Sequence, residues 1–110
     1  MQWDRKPELA ETLRNLVVVL EADGDEHWSH WIKDALARIS GDDYSGIEKL
    51  LGAYGGMGSI NDLVLGQSYA NGKFSWKPGH IARNERFSAL SSKAWELAND
   101  IRRENERSST

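Results

Sequence analysis

The chain has no cysteine. That excludes a disulfide framework, a thiol nucleophile and thiolate metal sites. It also has no long apolar run. The longest purely apolar stretch, Leu16 to Leu20, is far too short to cross a bilayer. The opening residues Met1-Gln2-Trp3-Asp4-Arg5-Lys6-Pro7 contain no apolar h-region. The expectation is therefore no signal peptide, no membrane and residence in the cytoplasm. A block of like charge is missing too. Fourteen Lys and Arg stand against seventeen Asp and Glu, a net charge of −3, and the basic residues are scattered. A nucleic-acid binder would carry a basic stripe. Arg102 and Arg103 come nearest, but Glu104 and Glu106 dilute them, and cations there suit the last turn of a helix.

What remains is the composition of an ordinary globular protein. Of 110 residues, 39% are hydrophobic and 28% charged. One domain over residues 1–110 is expected, large enough for a core without disulfides. Residues 1–6 and 105–110 read as frayed ends.

Helical periodicity dominates. Pro7 suits a first turn, and Leu9, Leu13, Leu16, Val17 and Leu20 make one apolar face of a helix from Pro7 to about Glu21. Val18 and Val19 widen that face beyond what a surface helix needs, so this helix is either central or meets a partner. Asp23-Gly24-Asp25 breaks the pattern. A second helix runs from about Asp25 to Ser40, with Trp28, Ile32, Ala35, Leu36 and Ile39 as its stripe and Trp31 on the flank. Ser45 and Glu48 form an S-x-x-E capping box for a third helix ending near Tyr54. A fourth, from about Asn84 to Glu104, carries Phe87, Leu90, Ala94, Leu97, Ala98 and Ile101. Before it, Asn71-Gly72 is a two-residue hairpin signal, and Lys73-Phe74-Ser75-Trp76-Lys77 alternates polar and apolar. A short hairpin and an irregular loop both remain open for residues 63–82. The fold class is thus mostly α: a small four-helix domain with a glycine-rich corner and a hairpin or long loop before the last helix.

The corner is the most particular stretch. Gly55, Gly56 and Gly58 are three glycines within four residues, followed by Ser59, Asn61 and Asp62. Glycine reaches positive φ without penalty, so one of Gly56 and Gly58 is expected there. Ser59 is an N-cap, with Asp62 at the third position of a capping box. The structural reading is a rigid turn. The functional reading is an anion cradle, but no lysine follows Gly58 before Lys73 and Asp62 would repel a phosphate.

The run Gly55-Gly56-Met57-Gly58-Ser59-Ile60-Asn61-Asp62-Leu63-Val64-Leu65, with Asn84-Glu85-Arg86-Phe87 opening a long helix, resembles a family of small bacterial proteins of unknown function. The resemblance covers the C-terminal half. It implies a compact, mostly helical bacterial domain and carries no activity.

Candidate chemistry is sparse. His27, His30 and Asp34 fall on one side of the second helix, but i, i+3 histidines are not the H-E-x-x-H pair and no third strong ligand is apparent. A solvated face with a His30–Asp34 pair is the simpler reading. Glu21, Asp23, Asp25 and Glu26 depart from the calcium-loop spacing, so capping and solubility explain them. No G-x-S-x-G elbow is present. No metal, cofactor or catalytic residue is therefore assigned. Five tryptophans are many for this length, and tryptophan belongs to cores and interfaces. Trp28 and Trp95 read as core. Trp3, Val18, Trp31 and Trp76 read as contact residues for a protein partner or a second copy. The leading expectation is a small non-catalytic binding or regulatory protein, an immunity protein being one form. The alternative is a small enzyme or ligand-binding domain with a pocket at the Gly55–Asp62 corner, Asn61 and Asp62 being its candidate binding residues.

Overall fold

A computed structural model describes residues 3–108. Within them four helices and one antiparallel hairpin appear in chain order: α1 (Lys6–Asp23), α2 (Glu26–Ser40), α3 (Ser45–Leu51), β1 (Gln67–Ala70), β2 (Lys73–Trp76) and α4 (His80–Ser108). Met1, Gln2, Ser109 and Thr110, the outer parts of the expected frayed ends, lie outside the described residues.

The leucine period of α1 explains its central position. Leu9, Leu13, Leu16 and Leu20 are fully buried, and α1 packs against both α2 and α4. Val17 and Val19 are buried as well, whereas Val18 points out. The wide apolar face is therefore used mostly inside. Each fully buried Leu or Ile adds about 1.5–3 kcal/mol of transfer free energy. Gly24, at φ +86°, closes α1 in the left-handed region. Asp25 then caps α2, its carboxylate accepting the Trp28 N–H at 2.8 Å. Ile32 and Ile39 of α2 meet Ile47 and Leu50 of α3 in the same core, with Ala94, Ala98 and Ile101 of α4.

Four expectations are corrected. The S-x-x-E box is not formed: Tyr44 holds the cap position of α3, and the Asp43 carboxylate accepts the Ser45 N–H at 2.9 Å. Ser45 is thus already inside the helix. Second, α3 ends at Leu51, and a 3-10 turn over Gly52–Tyr54 completes it. Third, α4 begins four residues early, at His80, because Gly79 at φ +78° turns the chain out of the hairpin and its carbonyl accepts the Arg83 N–H. It also runs past Glu104 to Ser108. Fourth, Trp95 is exposed. Ala94, Leu97, Ala98 and Ile101 take the inward positions of α4, and Trp95 lies one step round the helix from Ala94.

The corner follows the sequence. Gly56 and Gly58 adopt φ +78° and +74°. Ser59 caps a 3-10 turn over Ile60–Asp62, its hydroxyl accepting the Asn61 N–H at 3.3 Å. Asp62 reaches past the cap residue, and its carboxylate accepts the Gly58 N–H at 2.8 Å. The corner buries Ile60 and Leu65 and delivers the chain to the hairpin.

Candidate contact surface

The Asn71-Gly72 turn sets the geometry of the hairpin. Both residues have positive φ, +55° and +75°, as a two-residue turn of this kind requires. A two-residue turn fixes the register, so Ala70 pairs with Lys73 and Tyr69 with Phe74. Side chains alternate along a strand, which puts Tyr69, Phe74 and Trp76 on one face. Their rings form a ladder. Tyr69 and Phe74 lie 5.2 Å apart between centroids, Phe74 and Trp76 5.0 Å, and Trp76 and His80 4.7 Å with their planes within 15°. Aromatic pairs of this kind contribute about 0.5–1.5 kcal/mol each beyond burial. Yet Tyr69 is 75% exposed and Trp76 47%.

A two-stranded hairpin is marginal alone. This one is held at its foot by polar groups. The Asp23 carboxylate, at the end of α1, accepts the Gly66 N–H at 2.8 Å and pairs with Lys77 and Arg83. Lys77 also donates to the Asp23 carbonyl at 2.8 Å. Asn84 of α4 clasps the backbone of Leu65. Gly66, at φ +85°, lets the chain pass His80: a Cβ there would overlap the His80 Cβ. His80 is thereby set against Trp76.

The ladder opens onto a cleft of about 540 Å³ whose walls include Asn61, Val64, Trp76, His80, Ile81 and Glu85. A second cleft, about 410 Å³, continues along α4 between Tyr54, Trp95 and Glu96. The two share Asn61, Ser91 and Ser92, so they form one trough. Tyr54 donates its hydroxyl to the Ser91 carbonyl at 2.8 Å, and burial pushes its phenol pKa up.

Of the expected contact residues, Trp76 alone lies on this surface. Trp3 is buried and packs edge-on to Tyr44, so it belongs to the core. Trp31 is half-buried. Its indole N–H donates to the Lys49 carbonyl at 2.8 Å and the Lys49 ammonium sits 3.9 Å above its ring, so it ties α2 to α3. Val18, 63% exposed, is the single exposed large apolar residue of α1. Asn61 lines the trough, with its amide N–H donated to the Tyr54 carbonyl. Asp62 does not line it and is committed to Gly58. The expected His30–Asp34 pair is replaced: Asp34 pairs with Arg38 and Lys49, the stronger cations. His27 lies edge-on to Trp28. Among the described residues no three His, Asp or Glu side chains gather as a metal-holding group.

Sequence reasoning missed Tyr69, Phe74, His80, Ile81 and Trp95 as one surface. The signal for the first two was present, because the Asn-Gly turn dictates that they face each other. Nothing local announced His80 or Asp23.

A family model described as a domain of unknown function (DUF6966) matches residues 21–73, from the end of α1 to the start of β2. That stretch is similar to the family; the ladder beyond Lys73 and all of α4 lie outside it. No curated protein and no solved structure matches the chain. No helix among the described residues is long and apolar enough to cross a membrane.

Proposed function

We propose that this chain is a small non-catalytic binding protein that engages a protein partner through the aromatic face of its hairpin. The observation that carries the reading is the exposed Tyr69–Phe74–Trp76 ladder. Rigid, exposed aromatics beside a trough are what interface hot spots are made of. Contiguous apolar surface of this kind marks a binding site rather than a solvated face. The hairpin is anchored by polar groups, so its aromatics are free of core duty. Neutralisation of a partner by an immunity-type protein is one form of this role. A bacterial, cytoplasmic setting belongs to the same proposal, on the resemblance and the composition.

The ligand-binding alternative keeps one supporting observation: Asn61 and His80 line the same cleft. It lacks a charged group aimed inward at the corner, since the Asp62 carboxylate is spent on Gly58.

The test is a photo-crosslinking amino acid placed at Tyr69 and, separately, at Val18, in the cell of origin. Capture of a protein at Tyr69, lost with Phe74→Ala and Trp76→Ala, supports the reading. Capture at Val18 alone moves the surface to α1. Capture at neither position defeats the proposal, and capture of a second copy of the chain makes the contact a homodimer.

A further inference from the structure

The trough has a chemistry of its own. The first cleft is lined by the apolar Leu63, Val64, Trp76, Ile81 and Phe87, and the second by Trp95. Where the two clefts meet, the shared lining is polar: Asn61, Ser91 and Ser92. A helical occupant would want an apolar stripe along the whole groove, because it satisfies its own backbone. An extended segment has free N–H and C=O groups and suits a polar middle.

Charge narrows the choice further. Glu85 and Glu96 line the trough, eleven residues apart on one face of α4, which is about 16 Å at the helical rise. Neither has an ion-pair partner among the described residues. No Lys or Arg lines either cleft. Of the nearby cations, Lys77 and Arg83 pair with Asp23 and Lys93 with Glu8, while Arg86 neither lines the trough nor pairs with Glu85. An anionic occupant would meet two uncompensated carboxylates, and a cationic one would complete two ion pairs.

The length sets the spacing. Ile81 and Trp95 are separated by fourteen positions of one helix, about 21 Å. An extended chain covers that in about six residues. An even number places both anchors on the same side of the strand.

We infer that the trough binds an extended, basic segment of the partner, with apolar or aromatic residues six positions apart seated at Trp76–Ile81 and at Trp95 and with Lys or Arg facing Glu85 and Glu96. The inference rests on the binding-protein reading and names its occupant.

A displayed library of random decapeptides, panned on the purified full chain and counter-selected on Trp95→Ala, tests it. The expected winners carry two apolar residues at i and i+6 and at least one Lys or Arg. Synthetic winners are then titrated by tryptophan fluorescence. Trp95→Ala should weaken binding about tenfold, as hot-spot truncations do. The double variant Glu85→Gln, Glu96→Gln should weaken it about fivefold at low salt and remove most of the salt dependence. All three side chains are exposed, so these variants keep the fold, which far-UV circular dichroism verifies. Acidic winners, winners without the spacing, an empty selection, or affinities indifferent to both variants would each overturn the inference. Protein capture at Tyr69 decides the broader reading separately, so a failed library beside a successful capture sinks only the trough.

Discussion

Asn84 holds Leu65 by both ends of its side-chain amide: its Oδ1 accepts the Leu65 N–H and its Nδ2 donates to the Leu65 carbonyl, each at 2.8 Å. The same Nδ2 donates to the His80 carbonyl at 2.9 Å. The pair fixes the corner's exit to the start of α4, and the hairpin begins two residues after Leu65, at Gln67.

Asn84→Ala removes both bonds and leaves the Leu65 peptide unpaired in a partly buried place. The expected loss is about 2–3 kcal/mol. Urea denaturation gives the magnitude. Hydrogen exchange should show fast exchange at Leu65 and through the hairpin, with the α1–α2 core unchanged. A uniform rise in exchange over the whole chain would mean that the clasp does not act locally.

The glycines should separate into two classes. At Gly56 and Gly58 a Cβ meets nothing within 4 Å, so alanine costs only the strain of positive φ, about 1 kcal/mol. At Gly66 the strain is joined by a clash with the His80 Cβ. At Gly46 the added carbon would stand 2.8 Å from the Ala35 carbonyl and the Ile39 nitrogen, where α3 crosses α2. Alanine at these two positions should cost at least twice as much as at Gly58. Thermal melts of the four variants rank them, and equal losses would contradict the ranking.

Ser59→Ala should cost about 1 kcal/mol, the ordinary worth of an N-cap. Its hydroxyl is buried and serves the Asn61 N–H. Ser59→Asp should recover part of that, since a carboxylate also accepts there. A chemical-denaturation series of the three proteins checks both statements.

Tyr54 makes stability depend on alkaline pH. Burial raises its pKa in the folded chain, while the Ser91 hydroxyl, donating to the phenol oxygen at 3.4 Å, pulls the other way and is the smaller effect. Below about pH 10 the phenol is protonated in both states. Above it the unfolded chain loses the proton first, so stability falls as pH rises through the folded value. Tyr54→Phe loses the hydroxyl's bond to Ser91, about 1 kcal/mol at neutral pH. It also loses the titration. The gap between the two proteins should therefore narrow above pH 10 in denaturant midpoints measured over pH 8–11. A gap that stays constant would assign the alkaline loss to other groups, Tyr44 among them, whose pKa burial also raises.

The sequence was most informative where one interaction is local and repeated. The Leu9, Leu13, Leu16 and Leu20 period buried the face it implied. Gly56, Gly58 and Ser59 took the conformations that their chemistry dictates, and Asn71-Gly72 made its turn. Errors arose where a short-range rule met a nearer competitor: Asp43 displaced Ser45 as the group serving the start of α3, and Arg38 displaced His30 as the partner of Asp34. Trp95 was misread because alanines and leucines fill the inward positions beside it. Asp23 and Asn84 were illegible for another reason. Their bonds join segments 43 and 19 residues apart, and no periodicity reports such a closure.

The anchoring of the hairpin at its foot has an evolutionary side. Tyr69 and Phe74 touch each other and their neighbours on the ladder, while the core cluster of α1, α2, α3 and α4 includes neither. On the proposed binding role, selection for a stable fold acts on one set of residues and selection for a partner on another. The two sets meet at Gly66, His80 and the Asp23 and Asn84 clasps. Such a chain can exchange the side chains of its arm, and with them the identity of what it holds, while the body beneath it stays the same.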